Sequence, residues 1–179
     1  MRSGILVGMH DWPAPDSGEV PTPELVAAWV ALDTIRSERI PVWAAHWLVQ
    51  GHDGEALRTL AGLTGTDTHE VHDTLPAALA DCAVVVPDSD AAAARVAFTK
   101  LARMHADNRA TERWVLDKVC EIVDRSGYAD SVTALPLGQI FHLQDEWGAG
   151  WGRTEQQLTY EIQRACRAQL APGDQTSDH

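Results

Sequence analysis

The residue pattern predicts an all-α fold, a compact single-domain bundle of about seven or eight short helices with at most a minor two-stranded β element. Three observations point there. Apolar residues recur at spacings of three and four through most of the chain, which is the period of a helix. Capping residues stand in front of those stretches and glycines stand behind several of them. Only Ile5-Leu6-Val7 and Val84-Val85-Val86-Pro87 have strand-like composition, and two short runs do not build a sheet.

The elements follow in order. Residues 1–21 read as an extended arm, because three prolines among residues 11–21 fix φ and remove backbone donors. A helical domain is expected over 22–170, followed by a flexible tail over 171–179. Thr22 is a good N-cap with Pro23 at the first helical position, and Leu25, Trp29 and Leu32 keep the helical period. Pro41 opens a second helix carrying Trp43, Ala44, Trp47 and Leu48, which Gly51 closes in the left-handed conformation. Asp53 is expected to cap a third helix with Leu57, Leu60 and Ala61 on one side. Asp67 and Glu70 have the spacing of a capping box before Val71, Leu75, Ala78 and Cys82. Pro76 interrupts that stretch and predicts a kink or two shorter helices.

Asp90 is expected to cap an alanine-rich helix running through Ala97, Leu101 and Met104 to a turn at Asp107-Asn108. The clearest amphipathic pattern comes next. Val115, Val119 and Ile122 form one row and Leu116, Cys120 and Val123 its neighbour, with Arg113–Asp117 and Glu121–Arg125 as i, i+4 pairs outside and Gly127 at the end. Residues 135–147 predict a short helix around Leu137, Ile140, Phe141 and Leu143. The loop Trp147-Gly148-Ala149-Gly150-Trp151-Gly152 leads to Thr154 and Gln157, a second capping box, and a last helix to about Leu170.

Composition bounds the function. The 179 residues hold 14 Lys and Arg against 26 Asp and Glu, a net charge of −12. A domain of this size removes roughly 70% of its extended-chain surface from water, enough for a core without disulfides or a structural metal. Nucleic-acid binding is not expected, since that affinity comes from cations displacing condensed counterions. The apolar run at Ile5 is broken by Gly8, so neither a signal peptide nor a membrane span is expected. Three cysteines without a CxxC pair suit a reducing, cytoplasmic setting. The charge is uneven: residues 40–94 hold eight acids and the single cation Arg58, whereas 95–125 hold seven cations and five acids.

No complete catalytic motif is present. His69, His72 and Asp73 lie close on one helix but point away from its apolar stripe, and the spacing is not HExxH. His46, His105 and His142 come from three different helices and offer an alternative, the open metal site of a small helical-bundle hydrolase. Gly148 to Gly152 has the glycines of a phosphate loop without the preceding strand or a following Lys-Ser or Lys-Thr. Ser3, Ser89, Ser126 and Ser131 lack a nucleophile elbow, and Cys82, Cys120 and Cys166 fall on apolar rows. No cofactor is expected. Seven tryptophans against two Phe and two Tyr are the most unusual feature of the composition. Trp29 and Trp114 read as core, and Trp43, Trp147 and Trp151 as a binding surface.

The leading expectation is therefore a non-enzymatic interaction module for a basic protein partner. Its binding residues are expected to be Asp53, Glu55, Asp67, Glu70 and Asp73 together with Trp43, Trp147 and Trp151. Immunity proteins, which neutralise basic toxins and nucleases, share this small, acidic character; that parallel rests on size and charge alone.

Overall fold

Residues 19–35 and 37–171 are described by a computed structural model. The fold is all-α, and no strand occurs among the described residues. Among the described residues, eight α-helices and two 3-10 segments alternate with short turns: α1 (Pro23–Ala31), a 3-10 turn (Ser37–Arg39), α2 (Ile40–Val49), α3 (Glu55–Gly62), α4 (Thr68–Asp81), α5 (Asp90–Ala106), α6 (Glu112–Arg125), α7 (Asp130–Thr133), a longer 3-10 segment (Gly138–Asp145) and α8 (Glu155–Leu170). They group into two compact units whose boundary falls inside α5, between Val96 and Ala97. The predicted arm over 1–21 and the tail over 171–179 lie almost wholly outside the described residues, as does Ile5-Leu6-Val7.

In the first unit, α3 packs on both α2 and α4, and α1 packs on α4. Trp29, Ile40, Trp47, Leu57, Leu60, Val71 and Leu79 are all at most 1% exposed and form its core. The Trp47 indole N–H, drawn out of water by that packing, donates to the Pro21 carbonyl at 2.9 Å. Thr22 caps α1 through its side chain, and Pro23 opens the helix. Gly51 ends α2 at a φ of +101°.

In the second unit, α6 packs on the long 3-10 segment and on α8, with α7 beside the 3-10 segment. Val115, Leu116, Val119, Ile122 and Val123 are fully buried, the two rows their spacing predicts, with Leu137, Leu158 and Ile162 also in the core. Arg113 and Asp117 pair at 3.1 Å on the outer side. Thr154 and Gln157 form the complete capping box of α8.

Several expectations are corrected. Asp53 does not cap α3. Its carboxylate accepts from Gly54 N–H and from Arg58, while the Leu57 N–H in the first turn is capped by Asp81 Oδ2 at 3.0 Å, from the end of α4. Gly54 permits that approach, because a Cβ there would sit 2.0 Å from the Asp81 carboxyl carbon. Asp67 stands at the N-cap of α4 without making the cap bond; it accepts from Thr64 Oγ1 instead. Helix α4 runs unbroken through Pro76. Pro76 and His72 are both exposed, so the lost bond falls on the solvent side of the helix.

Val84-Val85-Val86 is not a strand. Val84 N–H closes the end of α4 on the Leu79 carbonyl, burying Val84 and leaving Val85 86% exposed. Ser89, not Asp90, caps α5 through a bond from Ala92 N–H. The helix expected over 135–147 is a 3-10 segment preceded by the short α7. Gly138 there is pressed against the Val132 carbonyl, 2.1 Å from where a Cβ would stand, and the tight packing favours the narrower coil.

Candidate functional site

The acidic residues singled out in the sequence all lie in the first unit, and all five are exposed: Asp53 before α3, Glu55 in its first turn, Asp67 before α4, and Glu70 and Asp73 on its outer face. They differ in how far the protein already neutralises them. Asp53 pairs with Arg58 at 2.6 Å, and Asp67 holds the Thr64 hydroxyl at the same distance. The carboxylates of Glu55, Glu70 and Asp73 carry no ion pair among the described residues. Such groups retain their field toward an approaching molecule, whereas the exposed Asp53–Arg58 pair adds little to stability.

The same unit carries an apolar surface that the sequence reasoning missed. Trp43, Ala44 and Trp47 turn one side of α2 into the core. Val42, Ala45, His46 and Val49, at relative spacings of three, four and seven, turn the other side to solvent, with Val42 58% and Val49 86% exposed. With Ala61 and Leu63 they line a shallow groove of about 300 Å³. The signal was in the sequence: Ile-Pro-Val-Trp-Ala-Ala-His-Trp-Leu-Val is apolar all round, and a helix so composed either lies deep in a core or leaves one apolar side uncovered.

The three tryptophans assigned to a surface separate. Trp43 is 2% exposed, with its ring centroid 5.9 Å from that of Trp29 and the Arg39 guanidinium 5.5 Å from its face. It is a core residue and presents no face to a partner, because α2 directs the Trp43 and Trp47 row inward. Trp147 is partly buried under Arg113, whose guanidinium carbon lies 5.6 Å from the ring centroid. Trp151 is 63% exposed. Its loop is tied at the base by Glu146, which accepts from both the Arg153 backbone N–H and the Arg153 guanidinium, and Gly148, Gly150 and Gly152 all take positive φ. Trp29 is buried as expected, and Trp114 is half-buried.

The histidine hypotheses are not met. Among the described residues no group of three or more His, Cys, Asp or Glu side chains is placed to hold a metal ion. His105 Nε2 instead meets Glu112 Oε1 at 3.2 Å, and the Gln163 amide donates to the same oxygen at 2.8 Å. Those partners, the Gln163 amide foremost, hold the Glu112 carboxyl below its ordinary value against the opposing effect of burial. His46 lines the α2 groove, and His142 stacks edge-on against Phe141. His69 and His72 are exposed, and the His72 ring bonds to the Thr68 carbonyl.

All three cysteines are buried free thiols. Burial pushes Cys120 and Cys166 up to about 12 and raises Cys82 as well, so none is a thiolate nucleophile near neutral pH. Ser89 and Ser126 are occupied at helix ends, in the α5 cap and on the Val123 carbonyl.

Neither family models, curated proteins nor solved structures match this chain. No helix among the described residues is long and apolar enough to cross a membrane.

Proposed function

We propose that this protein is an interaction module whose first unit engages a basic protein partner, by way of the exposed carboxylates Glu55, Glu70 and Asp73, assisted by Asp53 and Asp67, and the uncovered apolar side of α2. The observation that carries the reading is the conjunction of these features in one unit: a strong excess of acids over 40–94 and the exposed Val42–Val49 stripe. Charge alone steers encounters without fixing a complex, and an apolar strip alone favours any oily surface. Together they select a partner that presents cations around an aliphatic patch. Covering Val42 and Val49 would recover roughly 1.5 kcal/mol each, while the carboxylates raise the encounter rate. The setting proposed with this function is the reducing cytoplasm, where buried thiols stay unpaired.

Affinity capture from host extract with two baits tests the reading. The native protein is expected to retain a protein of basic isoelectric point. A bait carrying Glu55→Gln, Glu70→Gln and Asp73→Asn is expected to lose it at physiological salt, and Val42→Lys alone is expected to weaken retention. Equal retention of the same proteins by native and substituted baits would overturn the proposal.

A further inference from the structure

The second unit holds a cleft that the interaction role does not use. It runs between α8 and the Gly138–Asp145 segment and encloses about 390 Å³, within the range of small-molecule sites. Its floor is apolar and closely packed: Ile140, Leu143 and Ala165 line it and are 6%, 2% and 8% exposed. Two arginines from separate segments also line it, Arg164 from α8 and Arg153 from the end of the glycine loop, beside the polar Gln139 and His142. In a chain with nearly two acids per cation, two arginines on one small cleft are a selective feature.

Each guanidinium is already oriented by one carboxylate. Arg164 Nη2 meets Glu161 Oε2 at 2.8 Å, and Arg153 is held by Glu146. A guanidinium carries five donors in a planar fork, so those pairings leave donors for a second acceptor. Glu161 also lines the cleft, which limits its positive potential. Dianions and polyanions such as phosphate esters are therefore poorly matched, and a single carboxylate is well matched.

We propose that this cleft binds a small organic monocarboxylate with an apolar body, its carboxylate accepting hydrogen bonds from Arg164 and Arg153 and its body lying over Ile140, Leu143 and Ala165. The geometry names the chemistry at both ends of the ligand. A charged head alone leaves the floor wet, and an apolar body with an ammonium head has no acceptor for the remaining guanidinium donors.

Titration of the isotopically labelled full chain, followed by amide chemical shifts, tests this with three probes: hexanoate, acetate and hexylammonium. Hexanoate is expected to give saturable shifts confined to residues around Ile140, Leu143 and Ala165, acetate to bind at least about tenfold more weakly, and hexylammonium to give none. Arg164 is exposed on α8, so Arg164→Gln is expected to fold normally and to weaken hexanoate by about tenfold. Ala168→Phe, also from an exposed lining position, is expected to block the cleft while leaving both arginines in the sequence. Absence of saturable shifts with hexanoate, equal response to hexylammonium, or unchanged hexanoate affinity in both variants would overturn the assignment.

Discussion

Lys118 is 1% exposed, and its ammonium lies 3.0 Å from Glu121 Oε1 and 5.7 Å from the centre of the Trp114 ring. Its stem and ammonium are both buried, while the Glu121 carboxylate that it meets is partly exposed, so substitution separates packing from charge. Lys118→Met keeps the volume and is expected to cost less than about 1 kcal/mol, whereas Lys118→Ala opens a void and is expected to cost about 2–3 kcal/mol by denaturant unfolding. Nothing in the sequence marked this residue. It sits among Arg113, Asp117, Glu121 and Arg125, whose spacing describes a solvated side, yet the folded chain buries it. Glu112 was equally illegible, since its partners His105 and Gln163 lie on other helices. Its lowered folded-state pKa stabilises the fold above the ordinary carboxylate range, and that contribution is lost as pH falls through the folded value. Glu112→Gln is therefore expected to lower stability by about 1 kcal/mol at pH 7, with the difference from the native protein shrinking toward pH 3 in melts followed by circular dichroism.

Helix ends divide into those that residues nearby in sequence determine and those that they do not. Thr22 and Thr154 cap from the adjacent position and were readable from residue type and spacing, as were the two apolar rows of α6. The start of α3 was not, because Asp81 reaches it from 24 positions away, across a contact that only the packing of α3 on α4 creates. Asp81→Ala is expected to cost about 1 kcal/mol and to raise hydrogen exchange at the Leu57 amide ahead of global unfolding, which a cap local to Asp53 would not produce. Pro76 lies inside α4 on its exposed side. Pro76→Ala restores a donor for the His72 carbonyl and is expected to raise the melting temperature, by about 1 kcal/mol or more in stability.

Across the chain, the helical class was legible because period and capping are local properties, whereas the surface was legible only in part. The five acids at Asp53, Glu55, Asp67, Glu70 and Asp73 emerge exposed, since helices that bury apolar rows must turn charged rows outward. Trp43 was misassigned because α2 is apolar on all sides, and sequence alone does not say which side is covered; it proved to be the tryptophan side, with the valines left in solvent. That uncovered strip and the acids of the same unit form the basis of the proposed partner recognition. The dependence of partner association rate on ionic strength, measured by stopped flow with the native chain and with the Glu55→Gln, Glu70→Gln, Asp73→Asn chain, tests it most directly. The native rate is expected to fall at least about tenfold between low and physiological salt, and the substituted chain to start low and vary little. Equal rates and equal salt dependence for the two chains would contradict recognition through this acidic surface.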